Sequence, residues 1–344
     1  MRTHDVVVVG GGPAGAAAAG DLVRGGADVL VLDRESFPRL KLCAGWITPE
    51  VVRELDMSPA SYPHRFLTFE KLRVRVKGVP VKFGSVQHSI RRWEFDAWLL
   101  ERSGAPVAQH MVREIRRDNG DFVVDDAFRC RYLVGAGGTN CPVYRTLFRE
   151  GNPRRRELQM VALEHELPYD WTDPDCHLWF FEGGLPGYAW YVPKADGWLN
   201  LGIGGVAHRM KGDARSIRDH WTDFAKRIEA ELAPGVELDP SGHSYYLRGA
   251  VDRVHEDRAF LVGDAAGLAT RDMAEGIGPA IRSGRRAARS ILGDEPFHLD
   301  DVTGTSIGHG IPSRLLDWAL TRGVGRDGKS AAPAVDSLPA ATLQ

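Results

Sequence analysis

The stretch Asp5-Val-Val-Val-Val-Gly-Gly-Gly-Pro-Ala-Gly15, followed by an alanine-rich run and then by Asp28-Val-Leu-Val-Leu-Asp33, reads as strand, tight turn, helix and strand. Val6 to Val9 are wholly apolar and β-branched, the pattern of a strand buried on both faces of a parallel sheet. Gly10-x-Gly12-x-x-Gly15 lets the chain turn tightly, leaves bare main chain for a pyrophosphate and brings helix close to strand. Pro13 suits the first helical turn, where its missing N–H costs nothing. Ala14 to Val23 continue as a helix whose unpaired amides and positive dipole end face the phosphates. Asp33 closes the second strand, where a carboxylate accepts from ribose hydroxyls, and Arg34 begins the loop beyond it. A glycine motif alone is a weak signal. The strand before it, the helix after it and the acid at the next strand end turn it into a dinucleotide site.

The rest of the 344 residues fits a soluble protein of one or two domains, with 43% hydrophobic and 26% charged residues. A net charge of −2, with arginines scattered among acids, gives no reason to expect nucleic acid. The sequence opens directly into a core strand and holds no apolar run of membrane-span length, so a cytoplasmic protein without a transmembrane segment is expected. Peripheral membrane contact is left open. Cys43, Cys130, Cys141 and Cys176 are far apart, which favours reduced thiols over a zinc site or disulfide framework. The twelve histidines show no metal-ligand spacing on a helix, and no metal is expected.

After Asp33 a loop runs through Lys41, Cys43, Ala44, Gly45 and Trp46 to a helix at Thr48-Pro49-Glu50, with Thr48 as its cap. Phe66 to Val76 and Val79 to Phe83 read as strands around a Lys77-Gly78 turn, with Val86 to Ile90 as a third. Arg91 to Leu100 form an amphipathic helix with an arginine pair at its N-terminal end. The helix dipole disfavours cations there, so an anionic partner is expected. Short strands near Val107, at Val112 to Arg116 and at Phe122 to Val124 form a meander leading to Arg131-Tyr-Leu-Val-Gly135-Ala-Gly137-Gly138, a strand returning to the nucleotide sheet. Aromatic-rich strands follow at Leu158–Leu167, His177–Phe181, Gly187–Pro193 and Trp198–Ile203, with Gly183-Gly184 and Asp196-Gly197 as hairpin turns. A helix over 214–232 and a strand over 258–262 complete the pattern. The tail from Gly323 is expected to be disordered.

These residues carry a resemblance to the FAD-dependent geranylgeranyl reductase family, within the flavoproteins shaped like p-hydroxybenzoate hydroxylase. It runs from Asp5 to about Leu292. Gly10, Gly12, Pro13, Ala14, Gly15, Asp33 and Arg34 match the FAD adenosine and pyrophosphate site. Lys41-x-Cys43-x-Gly45 resembles a KxCGG loop beside the isoalloxazine, with Ala44 in place of a glycine. Arg92-x-x-Phe95-Asp96 matches an RxxFD helix, which implies that Arg92 lies near the phosphate and ribityl chain. Gly263-Asp264-Ala-Ala-Gly267 through Glu275-Gly276-Ile277-Gly278 resembles the second FAD fingerprint, which implies Asp264 at a ribityl hydroxyl and a helix start at the flavin pyrimidine. Tyr188-Ala-Trp190-Tyr191-Val192-Pro193 resembles a YxWxFP motif on the substrate sheet. Two departures matter: Gly137 and Cys141 stand where an acid and a serine are usual. The first puts direct use of NADPH in doubt, and Arg145 remains a candidate phosphate ligand.

The expected fold is α/β (α+β), a Rossmann-like FAD-binding domain with an inserted antiparallel-sheet substrate domain. The FAD domain takes residues 1–65, 91–157 and 247–293, the sheet domain 66–90 and 158–246, and a C-terminal helical segment 294–322, before a tail over 323–344. The resemblance implies an FAD oxidoreductase that saturates carbon–carbon double bonds of a hydrophobic, isoprenoid-type substrate, with NADPH or another electron donor undetermined. Cys43 and Trp46 are the catalytic candidates. Trp46, Tyr188, Trp190, Tyr191 and Pro193 are the candidate substrate wall. A flavin monooxygenase or halogenase-like enzyme on the same fold is the enzymatic rival, and a non-catalytic flavin-binding redox protein is the other.

Overall fold

The computed structural model describes residues 1–58, 61–211, 215–251, 253–293, 295–302, 305–306 and 311–321. Its first sheet is parallel at the centre, in the spatial order Ala259–Leu261, Phe128–Gly135, Arg2–Val9, Val29–Asp33 and Val107–Gln109. Val6, Val7 and Val8 have no exposed surface, as their uninterrupted apolar run requires in a strand covered on both faces. The antiparallel strands Ile115–Asp118 and Asp121–Val124 extend this sheet from Phe128–Gly135. Val107–Gln109 is not part of that meander. It pairs parallel with Val29–Asp33 and so belongs to the nucleotide sheet itself.

Two helices cover one face. Pro13–Arg24 follows the glycine turn, and Ile277–Leu292 packs across it. Small residues permit the approach: a Cβ added at Gly284 would stand 2.1 Å from the Ala14 carbonyl oxygen. Arg92–Arg102 packs on the same side, burying Phe95, Trp98, Leu99 and Leu100.

The second sheet has seven strands in the order Ser241–Tyr246, Gln159–Pro168, Trp198–Val206, Gly187–Lys194, Cys176–Phe180, Leu72–Val76 and Val79–Phe83. All its pairings are antiparallel except Cys176–Phe180 with Leu72–Val76. Here the expected single strand over 66–76 divides. Leu67–Phe69 pairs with Gln87–Ser89, which also pairs with Trp46–Ile47, in a separate three-stranded sheet. The chain then bends at Glu70, and Leu72, buried in the alternation of that strand, begins the pairing with Cys176.

Thr48 caps the helix Pro49–Glu54 and accepts from the Val51 amide. The helix expected over 214–232 runs Ile217–Glu231 instead, because Ser216 and Asp219 form a capping box that fixes its start. Ala214 lies outside the described residues, as does the tail over 323–344. Within the C-terminal segment, Ile311–Leu320 is helical. Arg271 donates to Asp317 at 2.8 Å and to Thr321 at 2.8 Å, tying this helix to the loop before Ile277. Among the described residues no helix is long and apolar enough to cross a membrane, and no acid, histidine and cysteine cluster could hold a metal. All four cysteines are free thiols.

Candidate active site

One cavity of about 980 Å³ is lined by residues of the glycine turn, the 39–46 loop, the second sheet and the start of Ile277–Leu292. That is the upper end of the size range for pockets holding a single drug-sized ligand.

At the nucleotide end, Gly10 has φ +110°, and a Cβ there would lie 2.5 Å from the Ala136 carbonyl oxygen. A Cβ at Gly15 would overlap the Gly10 carbonyl at 1.8 Å. Gly12 differs, since its Cβ would meet only the Arg39 guanidinium, at 3.4 Å, and the residue faces the cavity. The first and third glycines thus serve chain packing, while the second keeps the surface bare where a phosphate group fits. Asp33 accepts from the Gly11 amide at 2.7 Å and the Glu35 amide at 3.0 Å, which fixes its carboxylate at the cavity wall. Pro13 and Ala14 line the cavity beside Gly12, and Gly276 and Ile277 line it at the start of the second helix. Two helix N-termini therefore open on one space, as an anionic dinucleotide requires. Asp264 lines the same space, whereas Gly263, with φ +59°, packs against Ala14, and Gly278 lies behind the wall. Arg34 reaches outward to Glu35 at 3.0 Å, though part of it borders the cavity.

Arg92 is buried and donates to both Asp96 oxygens. Burial works against its charge, but Asp96 and the neighbouring Cys43 thiol outweigh that and hold the guanidinium above its ordinary range. Arg91 turns away, bonding Glu166 and Glu94 and lying 3.4 Å over the Trp198 ring centre. Arg91 is thus paired within the protein, while Arg92 lines the cavity.

Lys41, Cys43, Ala44 and Trp46 all line the cavity. The Cys43 sulfur accepts from the Gly45 amide at 3.3 Å, and the Trp46 indole donates to Gln87. Arg145 reaches the cavity from an exposed position, and Gly137 sits so close to Cys141 that a Cβ would meet its Cα at 3.2 Å.

In Gly187–Lys194 the side chains alternate. Tyr188, Trp190 and Val192 face the cavity, while Tyr191 and Pro193 fall on the opposite face. Tyr191 is fully buried in a different cluster and donates to the Asp173 carbonyl, so neither it nor Pro193 borders the cavity. Tyr188 donates to the Met273 carbonyl at 2.6 Å and stacks on Phe180. Trp190 donates to Asn200 Oδ1 at 2.7 Å and lies against Gly202, where a Cβ would stand 2.1 Å from its ring.

Four ionisable side chains here had no role in the sequence motifs, though Glu275 lay within one. Glu164 is fully buried on the cavity wall, and neither carboxyl oxygen has a hydrogen-bond partner. Burial pushes its pKa up to about 7, despite Lys194 and Lys41. His243, with Nδ1 3.6 Å from Glu164 Oε1, is pushed down to about 3 by burial and by Lys41 and Arg92, which keeps its imidazole neutral. Glu275 is pushed up to about 7 by burial, although its carboxylate accepts from the Gly278 amide at 2.8 Å. Arg154 donates to the carbonyls of Thr139 and Ala265 and lies over the Tyr144 and Tyr246 rings, joining the turn at Gly137 to that at Asp264. The one signal for Glu164 was an acid on the face of a strand otherwise occupied by Met160 and Ala162.

Comparison with known proteins agrees with this geometry. A family model described as an FAD binding domain matches residues 3–57. An uncharacterised protein of Methanosarcina barkeri is 32% identical over 303 residues, covering 85% of this chain and 75% of that one. Menaquinone reductase of Mycolicibacterium smegmatis is 31% identical over 320 residues, covering 84% and 76%. Geranylgeranyl diphosphate reductase of Rhodobacter capsulatus is 28% identical over 84% of this chain and 75% of its own. Among solved structures, a geranylgeranyl bacteriochlorophyll reductase-like protein of Thermoplasma acidophilum superimposes with a TM-score of 0.72 at 22% identity, over 85% of this chain and 79% of that one. The flavin-dependent brominase Bmp2 does so with a TM-score of 0.66 at 18% identity, over 92% and 84%.

Proposed function

This chain belongs to the geranylgeranyl reductase family of FAD-dependent oxidoreductases, and on that footing we propose that it saturates carbon–carbon double bonds of a hydrophobic, isoprenoid-type substrate. The observation that carries the reading is the continuity of the cavity. The space bounded by Gly12, Asp33 and Ile277 runs on to walls made by Trp46, Leu178, Tyr188, Trp190 and Met273. A ligand at the apolar end lies next to one held at the nucleotide end.

When bound, reduced FAD supplies the hydride. In this proposal the amides after Gly12 hold the pyrophosphate, Asp33 the adenosine ribose and Asp264 the ribityl chain. Arg92 and Lys41 stand by the negative charge, and the amides at the start of Ile277–Leu292 stabilise the anionic reduced ring without a cation in contact with it. The aromatic walls exclude water from the reacting carbons, which lets fixed dipoles act at full strength. Relatives named for menaquinone and for geranylgeranyl diphosphate supply the two substrate types to try first.

The test is anaerobic. Dithionite-reduced holoenzyme is mixed with geranylgeranyl diphosphate or with menaquinone in detergent micelles. The flavin absorbance should return without oxygen, and the product should gain a pair of hydrogens in place of one double bond. An obligatory requirement for O₂, with labelled oxygen in the product, would assign the chain to monooxygenation instead.

A further inference from the structure

The other buried acids near the cavity are engaged. Asp96 takes two bonds from Arg92, Glu166 is held by Lys194 and Arg91, and Asp272 accepts from the Ser306 amide at 2.9 Å. Glu164, two residues before Glu166, is not. Its carboxyl has no exposed surface, lines the cavity and makes no hydrogen bond of good geometry, its polar neighbours being the Asn200 side chain and His243 Nδ1, 3.6 Å from Oε1. An unpaired carboxylate in such a place costs several kcal/mol of desolvation, whereas a neutral acid costs far less. The fold has the means to neutralise a charge here and applies it to the neighbour, since Lys194, also fully buried, bonds Glu166.

On the reductase reading above, we propose that Glu164 is the proton donor to the double bond, and that His243 returns the proton to it afterwards. Glu164 pairs across the sheet with Gly202, the residue over which the Trp190 ring lies, so it belongs to the apolar end of the cavity. His243 shares that face from the neighbouring strand, opposite Ala162. Its Nδ1 also lacks a hydrogen-bond partner and is 3.6 Å from Glu164 Oε1, a separation that a small side-chain rotation closes.

Apart from Cys43, whose sulfur accepts from the Gly45 amide at 3.3 Å, the nearer alternatives in the wall are engaged. Tyr188 already donates to the Met273 carbonyl, and burial raises its phenol and that of Tyr245 far above neutrality. Lys194 is committed to Glu166, and Glu275 accepts from the Gly278 amide at the helix start. The charged and titratable groups facing Glu164 are Lys194 and Lys41, which favour its ionised form, Glu166, which opposes it, and neutral His243. Burial outweighs the lysines and keeps the acid near 7, where a donor both holds its proton and releases it.

The step balances. The π pair of the double bond forms a C–H bond with the Glu164 proton as the O–H bond breaks, leaving a carboxylate. The other carbon takes hydride, with both electrons, from the reduced flavin. A proton from solvent, passed through the His243 imidazole, then restores the acid.

Three proteins test this: wild type, E164Q and E164D, all as FAD holoenzymes. E164Q should bind FAD and be reduced by dithionite as wild type is, while its anaerobic formation of product with one side-chain double bond saturated, from geranylgeranyl diphosphate or menaquinone, slows about 100-fold or more, the usual share of a general acid. E164D should recover part of the rate. Without any turnover, the infrared difference between wild type and E164Q should show a protonated carboxyl stretch below pH 7 that titrates away above it, the Glu275 band being common to both and cancelling. Equal product formation by E164Q and wild type overturns the role of Glu164, as does a wild-type-minus-E164Q spectrum without that carboxyl band. A wild type that neither substrate reoxidises instead sinks the reductase reading, and the proposal with it, and that control alone identifies the case.

Discussion

Arg92 donates to the two oxygens of Asp96, one helical turn away, at 2.6 and 2.7 Å, and Arg39 approaches the same carboxylate at 3.4 Å. Two cations thus share one buried anion, which leaves positive charge at the cavity wall, where the proposed reading puts the phosphates. Asp96 has no exposed surface. Asp96→Ala strands the Arg92 charge in the interior, and breaking such a pair costs about 3–5 kcal/mol. The loss should be smaller with FAD bound than without it, because phosphate replaces part of the missing anion. Urea unfolding of apo and holo protein measures both, and equal losses would show that the arginines do not sense the cofactor.

Gly12 and Gly284 separate cofactor space from packing space. A Cβ at Gly12 meets only the end of the Arg39 side chain, at 3.4 Å, whereas one at Gly284 runs into the Ala14 backbone. Gly12→Val should therefore fold with nearly unchanged apo stability and purify colourless. Gly284→Val should lose stability, by about 1–3 kcal/mol or more from overpacking, together with any loss of FAD. Absorbance at the flavin band and a thermal melt of each apoprotein decide the matter. A yellow Gly12→Val protein would remove the pyrophosphate from that turn.

The nucleotide half was legible because its signals are local. Val6 to Val9, the three glycines and Asp33 lie within thirty residues, and each acts through backbone geometry that a short stretch encodes. The substrate half is written in cross-strand register. Glu164 and His243 meet only because Gln159–Pro168 pairs with Ser241–Tyr246, and nothing near either residue announces the other. Tyr191 and Pro193 show the converse error: a motif read as a block ignores that alternate residues of a strand face opposite ways. The expected strand through Glu70 failed for a similar reason, since a continuous β-prone run does not say which partner each half will find. Arg154, by contrast, binds carbonyls of two separate turns, a role that no pattern around it foretells.

Gly202 controls the position of Trp190. The ring lies where a Cβ would stand, at 2.1 Å, so Gly202→Ala must push the indole off and break its bond to Asn200. The displaced ring narrows the apolar end and leaves the nucleotide end untouched. We expect unchanged FAD content, a stability loss of about 1–3 kcal/mol and a KM for the proposed isoprenoid-type substrate raised roughly tenfold, which corresponds to about 1.4 kcal/mol. Steady-state kinetics beside a flavin titration checks this. Weakened FAD binding with an unchanged KM would place Trp190 at the cofactor and away from the substrate.

Stability against pH gives a reading of Glu164 that needs no substrate. Its folded pKa, about 7, lies above the ordinary 4.5, so the folded state holds the extra proton, and stability from this group falls as pH rises from 4.5 to 7. Glu275 acts in the same direction over the same window. His243 opposes them: lowered from 6.5 to about 3, it adds stability as pH rises between those values. From these three groups wild-type stability should therefore fall through the overlap with the slope of one carboxyl, since His243 cancels only one of the two, and fall more steeply between pH 6.5 and 7, where both carboxyls act unopposed. Glu164→Gln deletes one of the two falling terms and leaves the His243 term in place. Its stability relative to wild type should thus rise with pH through that window, by up to about 3 kcal/mol for the full shift, and level off above it. Parallel urea titrations from pH 4 to 8, at fixed saturating FAD, supply the difference curve. A flat curve would mean that Glu164 titrates in the folded protein as it does in the unfolded chain and is ionised near neutrality, with no buried proton available to deliver.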